Sequence, residues 1–227
     1  MSKIKKALLL IGSPKGENST SASLGNYLIL KLEELGNKNE RLFVHRIVNR
    51  EEKIQEMFQM IENVDLLILT FPLYVDSLPA PVIKVMELIK EHYINLENKK
   101  SQTFIAIVNN GFPEASQNQI ALKICEIFSK ECGFQWKGGI AFGGGGAIDG
   151  APLLEKGGMV RNIIKGLDMV AQALHENKDI PQEAIELLAK KLIPYSVYRV
   201  FGNFGWKMQA KRYGVKQKIK SKPYSNF

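Results

Sequence analysis

The run Ala7-Leu8-Leu9-Leu10-Ile11 passes directly into Gly12-Ser13-Pro14-Lys15-Gly16-Glu17-Asn18-Ser19-Thr20-Ser21, after which Leu24, Leu28, Leu32 and Leu35 fall at helical spacing. An apolar run, a glycine-bearing loop and an amphipathic helix in that order read as the first strand, turn and helix of an α/β unit. Gly12 permits a sharp departure from the strand, Pro14 and Gly16 shape the loop, and Asn18 to Ser21 crowd polar groups at the start of the helix. Backbone N–H groups and hydroxyls placed there suit a phosphate dianion, aided by the positive end of the helix dipole. Capping is the plainer reading, because Ser, Thr and Asn are favoured at any helix amino terminus. A cap needs one such residue, and here four stand in succession.

The rest of the chain extends the pattern. Strand-like runs recur at 41–46, 66–71, 103–108 and 134–142, separated by helical stretches such as Ile54, Met57, Phe58 and Ile61, or Val82, Val85, Met86 and Ile89. The near-continuous apolar character of 66–69 and 104–108 fits strands covered on both faces, as in a parallel sheet. Val160, Ile163, Ile164, Leu167, Val170, Ala171 and Leu174 form the cleanest helical stripe and predict the helix that closes the domain. A shorter helix is predicted from Pro181 to about Leu192, with Pro194 as a break. The expected division is a domain over 1–180 and a helical basic extension over 181–227.

Ligands of open parallel sheets bind beyond the carboxyl ends of the strands, so the loops after strands one, three and four are the ones to inspect. The first excludes two familiar phosphate motifs by spacing. Gly16 is followed by Glu17 rather than Lys-Ser/Thr, and position 14, where a dinucleotide fingerprint has its second glycine, is proline. A monophosphate is the better fit. After strand three, Pro72-Leu73-Tyr74-Val75-Asp76-Ser77-Leu78-Pro79-Ala80-Pro81 is stiffened by three prolines and offers an apolar wall for a flat ring. Taken alone it reads equally as a rigid connector. Asn109-Asn110-Gly111-Phe112-Pro113 places a turn and a second aromatic at the same sheet edge.

With 227 residues, 45% hydrophobic and 24% charged, the chain is ordinary for a globular protein with a substantial core. Cys125 and Cys132 are too few for a disulfide framework and lack the clustering of a zinc or iron–sulfur site. His45, His92 and His175 have no carboxylate or cysteine at metal-ligand spacing, so no metal site is expected and each reads as a surface or structural histidine. The apolar run after Lys3, Lys5 and Lys6 is too short for a secretory signal and ends in Gly-Ser-Pro-Lys. A cytoplasmic location is the expectation. Gly143 to Gly146 reads as a mobile exit from strand five, and Asp149 and Glu155 beyond it as solvent-facing charge.

Together the three loops resemble those of the flavodoxin-like NAD(P)H-dependent flavin and quinone oxidoreductases, over roughly residues 6–142. Gly12-Ser13-Pro14-Lys15 followed by Asn18-Ser19 matches that family's FMN-phosphate loop. The resemblance implies a doubly wound α/β fold with a five-stranded parallel sheet in order 2-1-3-4-5 and helices on both faces. It assigns Ser13, Lys15, Asn18, Ser19 and Thr20 to the phosphate of FMN. It sets Pro72, Leu73, Tyr74 and Val75 along the isoalloxazine, with Asn110, Gly111 and Phe112 closing the other side. It further implies NADH or NADPH as co-substrate, hydride transfer through FMN to a quinone, flavin or similar small acceptor, no catalytic side chain, and a homodimer. The compact cysteine cluster of the family's iron–sulfur branch is absent. Two rivals stand: a flavodoxin-type electron carrier or FMN-binding interaction protein with little NAD(P)H turnover, and a non-flavin α/β hydrolytic or transferase domain. Carriers of the first kind are usually acidic, and the second lacks a serine–histidine–carboxylate set.

Eight of the 31 basic residues lie in 195–227, where there is no acid, which leaves 23 basic against 23 acidic in residues 1–194. The whole excess of +8 therefore sits in the tail. Val197, Val200, Phe201, Phe204 and Met208 share one helical face, although Gly202 and Gly205 weaken a continuous helix. The readings left open are a tail docked on its own domain with its lysines in water, an amphipathic helix on an anionic membrane, and packing across a dimer partner. Nucleic acid could meet the same charges but is not the expected partner.

Overall fold

The computed structural model describes residues 3–97 and 99–222. Five strands, β1 (Lys6–Ile11), β2 (Lys38–Phe43), β3 (Leu66–Pro72), β4 (Thr103–Asn109) and β5 (Gln135–Phe142), form one sheet in the order β2-β1-β3-β4-β5. Every pairing is parallel. This is the flavodoxin-like arrangement that the resemblance implied.

Side-chain alternation explains why helices cover both faces. Leu9 and Ile11 of β1 face one core, together with Ile68, Ile105, Ile107 and Ile140, and this core is closed by α1 (Thr20–Glu34), α5 (Arg161–His175) and α6 (Gln182–Ala189). Leu8 and Leu10 face the other, with Leu67, Leu69, Phe104, Ala106 and Val108, beneath α2 (Glu51–Glu62), α3 (Ala80–Ile94) and α4 (Gln119–Cys132). One unbroken apolar run thus feeds two cores, because neighbouring residues of a strand point to opposite faces.

The second strand differs from its sequence expectation. It occupies Lys38–Phe43, and Val44–Arg46 is a 3-10 turn, whereas the apolar signal predicts the strand at 41–46. As an edge strand β2 is mostly exposed, and its register (Lys6 with Lys38 through Ile11 with Phe43) comes from β1, not from its own hydrophobicity. In β5 a register shift opposite Phe104 and Ile105 is accommodated at Gly138, whose φ is +130°.

Contacts divide the chain after Leu192, not at residue 180. The physical reason is α6, which buries Ala184, Leu187 and Leu188. Gly166 on α5 lets this helix come close, since a Cβ there would lie 2.7 Å from Leu188 Cγ. The second unit carries α7 (Tyr195–Arg212), an 18-residue helix continuous through Gly202 and Gly205. Residues 223–227 of the expected tail and the Phe201 side chain lie outside the described set.

The α1–sheet contact offers a direct test of packing. A Cβ on Gly25 would stand 2.9 Å from both Leu9 Cδ1 and Cδ2. Gly25→Ala should cost about 1–3 kcal/mol by overpacking, and Leu9→Ala about 2–5 kcal/mol by leaving a cavity. In urea titrations the double variant should lose less than the sum of the two, since one change makes room for the other; additivity would show that α1 is not seated on Leu9.

Candidate cofactor site

The loops after β1, β3, β4 and β5 meet at one end of the sheet. Gly12 starts the first of them. Its N–H donates to Thr70 O at 2.7 Å, and a Cβ there would lie 2.4 Å from Val82 Cγ2 and 2.9 Å from Phe71 Cβ, so only glycine fits the departure. The chain then turns through Ser13 to Gly16, whose N–H donates to Ser13 O at 3.1 Å and whose φ is +61°. Ser19 caps α1: its Oγ accepts from Ala22 N–H at 3.1 Å and donates to Gly16 O at 2.7 Å.

The hydroxyls following the cap are also engaged. Thr20 Oγ1 donates to Gly145 O at 2.8 Å, and Ser21 Oγ donates to Asn109 Oδ1 at 2.7 Å. They fasten α1 to the β4 and β5 loops and do not stand free for a ligand. Free helix-end donors are instead the Thr20 and Ser21 amides, which as first-turn N–H groups have no intrahelical acceptor. Lys15, exposed on the loop, adds a cation.

On the far side Gly145 N–H donates to Asn110 O at 2.8 Å and Gly144 N–H to Phe112 O at 2.6 Å. Gly143 lies against the β4 loop, where a Cβ would be 2.5 Å from Pro113 O, and Gly150 lies against α1, where a Cβ would be 2.5 Å from Asn18 C. The glycine run expected to be a mobile exit is therefore tied down on both sides. Between these loops lies a cleft of 230 Å³. Asn110 contributes a buried Oδ1 that has no hydrogen-bond partner, an acceptor aimed at no group of the protein.

Of the residues picked out from sequence, Ser13, Lys15, Asn18, Ser19, Thr20, Pro72, Tyr74, Asn110 and Gly111 line this cleft. Leu73, Val75 and Phe112 do not. Leu73 packs against the α2–α4 core, while Val75 and Phe112 are exposed. Residues not picked out join the lining: Ser21, Asn109, Gly145, Gly146, Asp149 and Gly150. Asp149 is exposed, in line with a solvent-facing charge, and the turn after β5 also sets it at the cleft wall as the one carboxylate there. Glu155 is exposed as well.

The remaining reactive side chains lie elsewhere. Burial pushes the Cys125 and Cys132 thiols up to about 12, which removes them as nucleophiles near neutral pH. His92 stacks on Phe58 at 4.1 Å between centroids and meets Glu62 at 2.6 Å; His175 Nδ1 meets Asn37 Oδ1 at 2.9 Å. His45 abuts Gly16 behind the first loop. Among the described residues no three His, Cys, Asp or Glu side chains are grouped to hold a metal.

The β3 loop carries a strained turn beside the cleft. Tyr74 and Ser77 exchange backbone hydrogen bonds of 2.9 and 3.1 Å around Val75 and Asp76, whose φ values are +49° and +57°. Two successive positive φ angles make a type I′ turn, which favours Asn-Gly and penalises a β-branched residue. Val75→Asn should raise stability by about 1 kcal/mol in thermal or urea unfolding. A loss of stability would mean that the apolar side chain is needed where it stands.

No protein-family model matches the sequence, and neither does any curated protein. Solved structures do. An FMN-dependent NADH-azoreductase from Bacillus anthracis str. Ames Ancestor, in complex with FMN, superposes with a TM-score of 0.53 at 13% identity, over 75% of this chain and 100% of that one. The Trp repressor binding protein from Bacillus subtilis does so with a TM-score of 0.55 at 11% identity, over 71% and 96%. An NAD(P)H:quinone oxidoreductase from Methanothermobacter marburgensis gives 0.50 at 14%, over 78% and 96%. At such identities the likeness is one of architecture, and with the strand order it establishes that the chain has the flavodoxin-like fold.

Proposed function

We propose that the protein is an FMN-dependent NAD(P)H oxidoreductase that reduces a quinone, a flavin or a similar small acceptor. The observation that carries this reading is a cleft at the carboxyl end of the sheet, with anion-binding groups on one wall and an unpartnered acceptor on another. FMN matches both kinds of group. The Thr20 and Ser21 amides with Lys15 suit its phosphate, which fits the short loop better than a pyrophosphate. Asn110 Oδ1 and Asp149 are acceptors, and FMN brings donors in its ribityl hydroxyls and ring N–H.

When bound, FMN supplies the redox chemistry, accepting hydride from NADH or NADPH and passing electrons to the acceptor. The chain supplies position and environment. The hydroxyls of Ser19, Thr20 and Ser21 hold the loops to α1, so the amides are already oriented before an anion arrives. Pro72 and Tyr74 border the cleft from the β3 side, and Tyr74, 42% exposed, leaves an aromatic surface open to a planar partner. Asn110 is clamped from both directions, its N–H to Phe142 O at 3.0 Å and its Nδ2 to Glu114 O at 3.0 Å, which leaves Oδ1 alone for a ligand. No nucleophile or general base is required, and the raised thiols provide none.

The purified protein should show flavin absorbance with added FMN and should bleach on anaerobic addition of NADH or NADPH. No FMN binding would refute the reading, and bleaching by dithionite alone would favour the electron carrier. Lys15→Gln should weaken FMN about fivefold and leave riboflavin, which has no phosphate, unchanged.

We further propose a homodimer through α3 and α4. Ile83, Ile124 and Ile127 are exposed along a 220 Å³ groove floored by Leu78, Met86 and Phe128. Its rim carries both signs in Glu87, Lys90 and Glu131, which suits a face that meets its own copy across a two-fold axis. Ile124→Asp should convert a dimer to a monomer in light scattering; a monomeric wild type would exclude the assembly.

A further inference from the structure

We propose that α7 and the residues following it form a docking element for an anionic phospholipid surface. The helix stands in a unit of its own, and among its described side chains Val200, Phe204, Trp206 and Met208 are exposed. Val200, Phe204 and Met208, at successive spacings of four, make one stripe and are 67%, 61% and 58% exposed. Trp206 and Tyr213 are exposed too, at 70% and 69%, but at 100° per residue they fall on the side of the helix away from the stripe, so the stripe and its flanking cations make the contact. At 100° per residue, Lys207 borders the stripe on one side and Arg212 on the other, while Lys211 continues it at the carboxyl end. Their stems are long enough to reach lipid phosphates while the stripe enters the acyl boundary.

Charge selects the partner. Residues 195–227 hold eight basic side chains and no Asp or Glu, so the segment requires an anionic surface. A second copy of the chain offers no net negative charge to match it, because residues 1–194 are balanced at 23 of each sign. Nucleic acid would satisfy the cations but not the stripe, since Val200 and Met208 have no π-face to stack on a base. Spanning the bilayer is not the mode: among the described residues no helix is long and apolar enough. A helix lying in the interface uses both the stripe and its flanking cations. This inference is independent of the flavin reading.

The full-length protein is sedimented with vesicles of phosphatidylcholine alone and of phosphatidylcholine mixed with phosphatidylglycerol, at low and at high salt. Binding to the anionic vesicles should exceed binding to the neutral ones by about tenfold or more and should weaken with salt. The triple variant Lys207→Glu, Lys211→Glu, Arg212→Glu should lose roughly 100-fold, at about fivefold per cation. Phe204→Ser, which leaves every charge in place, should lose about tenfold. Both variants change exposed side chains, so an unchanged near-ultraviolet dichroism from the body confirms that they fold. Equal binding to both vesicle types, or full binding by either variant, would overturn the assignment. So would duplex DNA that displaces the protein from vesicles at equal phosphate, or self-association in place of lipid binding that disappears in Phe204→Ser.

Discussion

The structure depends on β1 being covered on both faces at once. Five consecutive apolar residues, Ala7 to Ile11, are all buried, and their alternation sends Leu8 and Leu10 into one core and Leu9 and Ile11 into the other. A strand of this kind is stable only inside a parallel sheet with a helix layer on each side. That requirement recruits α1 and α5 above, α2 to α4 below, and places the loop after β1 beside those after β3 and β4. The site is thus a geometric consequence of the core: wherever β1 ends, the cleft must begin.

Within the cleft the division of labour between backbone and side chain is the main chemical lesson. A row of Ser and Thr at a helix start invites the idea that hydroxyls grip the anion. Instead each hydroxyl is bonded inward, to Gly16 O, Gly145 O or Asn109 Oδ1, and the helix-end amides are what remains. Preorganised amides need no rearrangement when a charge arrives, so their interaction is not reduced by the cost of ordering them. Asn110 shows the same logic with the opposite polarity: three of its polar groups are fixed by Phe142, Gly145 and Glu114, and one acceptor is left over.

Strain is concentrated at the same edge. Val75 and Asp76 hold left-handed backbone angles in the turn beside Tyr74, and Asp149 does so at +48° in the opposite wall. Non-glycine residues in that region carry a cost of order 1–3 kcal/mol each, which the two cores are large enough to absorb. The loops that border the cleft are consequently tied by hydrogen bonds rather than left slack, and the glycines of the β5 loop serve close packing against Pro113 and Asn18 instead of flexibility.

Periodicity and loop chemistry in the sequence were sufficient for the class of fold, the strand order through its resemblance, and nine of the cleft residues, because central strands and turn glycines are specified locally. What they missed was set by distance along the chain. The edge strand β2 took its register from β1, α6 joined the body through Gly166, and Leu73 turned inward onto the α2–α4 core, each decided by a partner in another element. Asp149 and Gly150 entered the cleft only because the β5 loop packs on the amino end of α1, more than a hundred residues earlier. Local propensity determines which elements form; only tertiary packing determines which side of them faces the ligand, because that choice is made by steric and hydrogen-bonding partners that no window of sequence contains.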